Sequence, residues 1–226
     1  MITPDSTVFL VDVDNTLLDN DRIQADLKRH LEREFGAACR DRYWAILERL
    51  FTELGYRDYL GALQRYRAER PREIHLLSMS SYLVDYPFAN RLYPQALDVL
   101  ERFGRLGPTA ILSDGDVVFQ PRKVERSGIS EAVDGNVLIY IHKEQELEDV
   151  EHRYPARHYV LVDDKPRILA AVKEIWGNRV TTVLPRQGQY ANDGRVVASL
   201  PPADVTVERI GELLCYDFST LVKKFS

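Results

Sequence analysis

Two acids, Asp12 and Asp14, follow a run of apolar residues at 8–11. Residues two apart on a strand face the same side, so both carboxylates are expected to converge on one point. Carboxylates held this close repel each other unless a cation or proton separates them, and Mg²⁺ prefers such oxygen ligands. The competing interpretation is an acidic turn after a strand, because Asp and Asn are common turn residues. The pair alone leaves both interpretations open.

Two further apolar runs also end in polar residues. The run at 110–112 leads into Ser113 and Asp114. A small hydroxyl followed by a nearby glycine at the end of a parallel strand can hold a phosphate, although Ser-Asp-Gly is also an ordinary turn. The run at 137–141 leads to Lys143, a cation that can meet phosphate charge or face solvent at a helix start.

A fourth run, at 159–162, ends in a second acid pair, Asp163 and Asp164. Asp164 is also suited to cap a helix beginning at Pro166, but capping does not explain why both residues are acidic. The four runs together bring a nucleophilic carboxylate, a second carboxylate, a hydroxyl, a cation and a metal-binding acid pair to one sheet edge. Phosphoryl transfer needs these groups for in-line attack, proton donation and charge neutralisation.

The order of these residues resembles the haloacid dehalogenase superfamily. The likeness rests on Asp12-x-Asp14-x-Thr16, Ser113, Lys143 and Asp163-Asp164, and the α/β pattern extends it over nearly the whole chain. The resemblance implies that Asp12 is the nucleophile and forms an aspartyl-phosphate intermediate. It implies that Asp14 protonates the leaving oxygen and then activates water, and that Thr16 orients Asp14.

The same resemblance implies a phosphate site and a Mg²⁺ cofactor. Ser113 and the N–H of Asp114 would hold the phosphoryl oxygens, and Lys143 would steady the nucleophile and the phosphate. The metal ligands would be Asp12, the backbone carbonyl of Asp14, Asp164 directly and Asp163 directly or through water.

Some positions depart from the common superfamily pattern. Asn15 stands where Gly often occurs, Ser113 leads into Asp-Gly-Asp, and Lys143 is followed by Glu144 instead of Pro. Lys123 is the rival for the role of Lys143, but it lies only ten residues after Ser113, on the expected next helix. Lys143 is retained because its distance from the second acid pair fits one intervening helix. The lysine after that pair is assigned to the helix start.

Asp14 also bears on the reaction. Dehalogenases of this superfamily lack an acid at that position because halide leaves without a proton, whereas an alkoxide leaving group needs one. The sequence therefore predicts a Mg²⁺-dependent phosphatase acting on a small phosphorylated metabolite. The alternatives are a phosphomutase of the same fold and a non-catalytic binding or regulatory protein that kept the fold.

The spacing of the apolar runs predicts the fold. Helical patterns separate the runs from the second onward, which is typical of an α/β protein with a Rossmann-like, three-layer, parallel-sheet core. Residues 21–90 contain only helical patterns, so we predict a core domain of residues 1–18 and 91–226 and an inserted all-helical cap domain of residues 19–90. Asp21 and Gln24 resemble a capping box for its first helix. The predicted helices cover 22–35, 41–54, 58–69, 73–84, 94–106, 144–153, 166–176 and, after a short strand at 203–207, residues 208–222.

Composition excludes other classes of protein. The 226 residues carry a net charge of −5, so no basic excess suggests nucleic-acid binding. No run approaches 18 apolar residues and no secretion signal is evident, which predicts a cytoplasmic protein without membrane association. Cys39 and Cys215 match no metal spacing and are expected to be free thiols. The sequence makes no prediction about oligomeric state.

Overall fold

The core is one parallel β-sheet. The computed structural model describes residues 7–72 and 76–218. Six strands lie in the order β3-β2-β1-β4-β5-β6, and every pairing is parallel. The strands are β1 Thr7–Val11, β2 Thr109–Asp114, β3 Val137–Tyr140, β4 His158–Val162, β5 Val180–Pro185 and β6 Val205–Val207. The chain changes direction across the sheet between β1 and β4, and open α/β sheets bind ligands at the carboxyl ends of the strands beside such a point.

Helices cover both faces of the sheet. The α-helices are α1 Asn20–Phe35, α2 Ala37–Leu54, α3 Tyr59–Glu69, α4 Leu76–Val84, α5 Ala96–Leu106, α6 Phe119–Arg126, α7 Ile129–Ala132, α8 Leu147–Arg153, α9 Pro166–Trp176, α10 Gly188–Asn192 and α11 Gly194–Ala198. Phe9 and Val11 on β1 pack into the cluster that contains α5, while Val8 and Leu10 pack into the cluster that contains α8 and α9. This alternation follows from the two-residue repeat of a strand, and it confirms the Rossmann-like three-layer core.

Helices α1 to α4 lie between β1 and β2 and form the helical insertion of this structure. Their facing sides bury a third hydrophobic cluster that includes Leu31, Tyr43 and Leu47. The two chain segments that join the insertion to the sheet run side by side, with an antiparallel bridge between Leu18 and Leu92. An all-helical insertion is therefore present, and the division into residues 1–18 with 91–226 and residues 19–90 stays a prediction.

The start of α1 differs from the predicted capping box. Asp19 is the N-cap residue, and its side chain accepts a hydrogen bond from Arg22 N at 2.8 Å. Asp21 lies in the first turn, where its carboxylate accepts from the amide of Asn15 and from Gln189 N. The acid nearer the strand end caps the helix, because only its carboxylate reaches the free N–H groups of the first turn.

The predicted helix at 208–222 is wrong within the described residues. A short 3₁₀ helix, Ile210–Leu214, stands in its place, and positions 219–222 lie outside the described residues. Ile210 and Leu213 are both buried, and a 3₁₀ turn places residues three apart on one face. The predicted helix at 144–153 is a 3₁₀ turn, Lys143–Gln145, followed by α8. Positions 73–75 of the predicted fourth helix also lie outside the described residues, and the helix is observed from Leu76 onward.

Two of the compositional predictions can be compared with the structure. Cys39 is buried, Cys215 is exposed, and both are free thiols. Among the helices of the described ranges, none combines the length and apolarity needed to span a bilayer.

Candidate active site

The carboxyl ends of four strands bring the predicted site residues together. Lys143, after β3, places its ammonium 2.5 Å from Asp12 Oδ1 and 2.6 Å from Asp163 Oδ2. Ser113, at the end of β2, lies with its hydroxyl 3.4 Å from the same Asp12 oxygen. All four side chains are almost fully buried. The strand order explains this meeting, because β1 lies between β2 and β4.

Three buried carboxylates form a cluster at this point. Asp12, Asp163 and Asp164 each offer an oxygen within 4.8 Å of the others. Burial raises the pKa of Asp12 to about 6; Lys143 opposes this shift and Asp163 adds to it. Burial, together with the other two carboxylates, raises the pKa of Asp164 well above its usual range. The three carboxylates carry more negative charge than the Lys143 ammonium neutralises. A divalent cation that prefers oxygen ligands would balance this charge.

The free oxygens of the cluster are unevenly distributed. Asp12 Oδ2 and both oxygens of Asp164 have no hydrogen-bond partner among the described residues. Asp163 Oδ2 also accepts no hydrogen bond from the described residues, but it forms an ion pair with the Lys143 ammonium at 2.6 Å, and Asp163 Oδ1 accepts from Lys165 N at 2.8 Å. The competing interpretation of Asp164 as a helix cap is therefore wrong, since its carboxylate caps nothing and α9 begins without a side-chain cap. Buried oxygens without donors are suited to a metal ion.

Lys143 occupies the position that the sequence predicted for it. Burial alone would lower the pKa of its ammonium, but Asp12 and Asp163 outweigh burial and hold that pKa well above the usual value. The ammonium also donates to the carbonyl of Leu112 at 3.0 Å. Lys143 is thus a cation held between Asp12 and Asp163.

Asp14, the second acid after β1, has a different partner. Lys123 Nζ lies 2.6 Å from Asp14 Oδ1, so the rival lysine contacts the neighbouring acid and does not replace Lys143. Thr16, which was expected to orient Asp14, instead accepts a hydrogen bond from Asp164 N at 3.0 Å. This hydrogen bond connects the turn after β1 to the second acid pair, and a role of Thr16 in orienting Asp14 stays a prediction.

Residues outside β2 donate hydrogen bonds to the side chains of both Ser113 and Asp114. Gln120 Nε2 donates to Ser113 Oγ at 3.0 Å, and a Cβ on Gly115 would stand only 2.5 Å from Gln120 Cβ. Glycine is therefore required at this position for α6 to approach. The Asp114 carboxylate accepts from Lys143 N at 2.8 Å. Lys165, assigned from the sequence to a helix start only, reaches Asp114 Oδ2 at 3.4 Å and so belongs to the site.

Asn15 explains one departure from the superfamily pattern. Its φ is 59°, in the left-handed region where glycine is usual and where asparagine is among the better tolerated residues. The Asn15 amide donates to Asp21 Oδ1 at 3.1 Å and accepts from Asp21 N at 3.1 Å. The side chain that replaces glycine thus connects the turn after β1 to the first turn of α1.

A cavity of about 340 Å³ separates the helical insertion from the sheet edge. The sheet edge and the segments beside it contribute Asp14, Asp114, Gln120, His142 and Lys165; the insertion contributes Asn20, Phe51, Tyr56 and Arg57; and the segment after β5 contributes Gln189 and Tyr190. Sequence reasoning missed Gln120 and Arg57, and it considered Lys123 only as the rival of Lys143. The three-residue spacing of Gln120 and Lys123 directly after a phosphate-type turn was the available signal, because it places both on one helix face.

Comparisons with known proteins identify the family. The family model described as haloacid dehalogenase-like hydrolase matches residues 7–184. The chain belongs to the haloacid dehalogenase-like hydrolases. A search of curated protein sequences found no significant match. The crystal structure of a haloacid dehalogenase-like hydrolase from Burkholderia xenovorans LB400 is 65% identical, with a TM-score of 0.89, and covers 94% of this chain and 99% of that one.

More distant haloacid dehalogenase-like structures share the fold. The hydrolase YfnB from Bacillus subtilis, crystallised with magnesium, is 15% identical with a TM-score of 0.62, covering 96% of this chain and 98% of that one. L-2-haloacid dehalogenase from Xanthobacter autotrophicus is 18% identical with a TM-score of 0.57, covering 92% and 96%. The superfamily prediction is confirmed by the family model and the Burkholderia structure. Because the two more distant structures are less than 25% identical, they show only that the fold is shared.

Proposed function

We propose that this hydrolase is a Mg²⁺-dependent phosphatase of a small phosphorylated metabolite, with Asp12 as the nucleophile. The observation that carries the proposal is the position of Asp14. Its carboxylate lines the cavity two residues after Asp12 and is 24% exposed, whereas Asp12 is buried at the base of the site. An acid in this place is suited to protonate an alkoxide, which a halide leaving group does not require.

The reaction uses the two acids in sequence. A carboxylate oxygen of Asp12 forms a bond to phosphorus while the bond to the leaving oxygen breaks, and Asp14 gives that oxygen its proton. Water then attacks the aspartyl-phosphate, Asp14 takes the proton from the water, and phosphate leaves with the Asp12 carboxylate restored. Ser113 and Lys143 lie against Asp12 and would hold the phosphoryl oxygens together with the N–H of Asp114, the residue after Ser113.

The residues present fit a magnesium ion. Asp164, with two oxygens lacking donors, and Asp12, with one, are suited to bind it directly. Asp163 has partners for its carboxylate and is suited to bind through water, and the backbone carbonyl of Asp14 completes the proposed set. A bound Mg²⁺ would neutralise the charge that builds on the phosphoryl group.

The helical insertion would act as the cap of this site, corresponding to residues 19–90. It supplies Phe51, Tyr56 and Arg57 to the cavity wall, opposite the sheet edge. Such a lid excludes water from the reacting groups and selects the substrate. The phosphomutase alternative uses the same site, and it differs only in whether water or the product alcohol accepts the phosphoryl group.

Four assays on the purified chain test the proposal. Phosphate release from a panel of phosphorylated metabolites with Mg²⁺ is expected, together with a covalent phosphate on the chain detected by mass spectrometry. Asp12→Asn should lose both signals, while Asp41→Asn, an exposed acid of α2, should keep them. Chloride release from L-2-chloropropionic acid without phosphatase activity would contradict the proposal. An isomerised sugar phosphate with little free phosphate would identify a mutase.

A further inference from the structure

Helix α6 brings a second buried lysine to the site, and the proposed reaction gives it no role. Lys123 is 1% exposed. Its ammonium lies 2.6 Å from Asp14 Oδ1 and donates to Asn20 Oδ1 at 3.1 Å. The ring of Phe119 lies 5.3 Å away on the same helix. A carboxylate, an amide oxygen and an aromatic face all stabilise a cation that has lost its water.

The two charges of the Lys123–Asp14 pair lie in different surroundings. The lysine is enclosed by protein, whereas Asp14 lines the cavity. An ammonium removed from water is strongly destabilised unless a carboxylate faces it, so Lys123 holds Asp14 firmly. The contact occupies Oδ1 of Asp14 and leaves Oδ2 as the oxygen available to a substrate.

One face of α6 supports two proposed functional groups. Gln120 and Lys123 are three residues apart and project from the same face. Gln120 donates to Ser113, and Lys123 binds Asp14. Asn20, the first residue of α1, binds the same ammonium, so the arrangement also reaches the helical insertion.

We propose that Lys123 is the positioning residue of Asp14, an inference that rests on the proposed phosphatase function. Lys123 fixes Oδ1, so that Oδ2 faces the leaving oxygen of the substrate. Asp14 then delivers its proton as the bond from phosphorus to that oxygen breaks, and it receives a proton from water in the second step. Lys123 keeps its own protons throughout, and Asn20 keeps the ammonium in place.

The test compares two leaving groups within a single turnover, with enzyme in excess. p-Nitrophenolate leaves without a proton at neutral pH, whereas the alkoxide of propyl phosphate requires one. Lys123→Met should slow alcohol release from propyl phosphate about 100-fold, the size of a general-acid contribution, and change p-nitrophenol release far less. Asn20→Ala should show a smaller bias in the same direction. Lys173→Met, which removes an ion pair with Asp204 far from the cavity, should leave both rates unchanged.

Each outcome decides between defined alternatives. Equal losses on both substrates, or no loss, in a folded Lys123→Met variant would show that the lysine is only structural and would overturn the inference. If that variant does not fold, the substrate bias of Asn20→Ala decides in the same way. If the wild-type chain releases alcohol from neither ester, the proposed function itself is overturned. If the wild type cleaves both esters and the variants slow both reactions equally, only the role of Lys123 is overturned.

Discussion

Gly55 lies directly against the ring of His142, and a Cβ atom on Gly55 would stand 2.3 Å from His142 Cε1. Gly55 ends α2 in the left-handed conformation, with φ of 81°. His142 immediately precedes Lys143, and both Gly55 and His142 line the cavity. The helical insertion thus contacts the sheet edge here, in a place that leaves no room for a side chain.

Gly55→Ala should therefore affect the site, and Gly128 provides a matched control. Gly128 is also left-handed, with φ of 83°, and a Cβ atom there would make only an ordinary contact, 3.8 Å from Leu97 Cδ1. Both alanine variants should lose about 1 kcal/mol of unfolding free energy from left-handed backbone strain. Only Gly55→Ala should also lower kcat/KM, by about tenfold, because the displaced loop misplaces the cavity wall.

The double variant Gly55→Ala, His142→Ala should regain most of the lost kcat/KM, since the smaller side chain makes room for the new methyl group. Urea unfolding and steady-state kinetics measure the two effects separately. Equal kinetic losses in the Gly128 and Gly55 variants would contradict a role for this contact.

Magnesium should stabilise the fold through the acid cluster. Mg²⁺ at about 100 times its dissociation constant should add roughly 2.7 kcal/mol to the unfolding free energy, seen as a raised melting temperature. Asp164→Asn should abolish most of this shift, because Asp164 offers two buried oxygens without donors. Asp41→Asn should retain the shift. A Mg²⁺ response unchanged in the Asp164 variant would place the metal elsewhere.

Lys143 should be a major contributor to stability. Lys143→Met leaves Asp12 and Asp163 without their shared cation, and breaking a buried ion pair costs about 3–5 kcal/mol. Added Mg²⁺ should recover part of this loss, because it can bind the same carboxylates. Lys173→Met, at a partly exposed ion pair, should cost at most about 1 kcal/mol. Denaturant unfolding of both variants with and without Mg²⁺ provides the comparison.

Asp26 should make stability depend on acid pH. Burial acts to raise the pKa of this carboxyl, but hydrogen bonds from Tyr86, Arg91 and Arg29 outweigh burial and lower it to about 2. Tyr86 Oη donates at 2.5 Å and Arg91 Nη2 at 2.6 Å to the same oxygen, Asp26 Oδ2.

A lowered carboxyl pKa stabilises the fold above the unfolded value near 3.9, and the benefit disappears as the pH falls through about 2. Asp26→Asn should therefore cost about 2 kcal/mol at pH 7, and its difference from the wild type should shrink progressively below pH 4. Urea unfolding at pH 7 and pH 3 measures this difference. A constant difference between those two pH values would contradict the role of the Asp26 charge.

Strand periodicity made much of the site predictable. Continuous apolar runs indicate strands buried on both faces, and parallel strands present their carboxyl ends at one edge. The sequence therefore predicted that four side chains lie together at this edge, and the structure brings them together: Asp12, Ser113, Lys143 and Asp163. Helix ends were less predictable, as the cap at Asp19 and the 3₁₀ turn at 210–214 show, because several nearby polar or apolar residues satisfy the same local pattern.

The sequence by itself determined the α/β core, the helical insertion and the acids that meet at the sheet edge, because these depend on local periodicity and strand direction. Only the tertiary structure decided how the cations are shared. It assigns Lys143 to Asp12 and Lys123 to Asp14, and it brings Lys165 to Asp114. Which ammonium reaches which carboxylate depends on distances across separate elements, and spacing along the chain does not encode those distances.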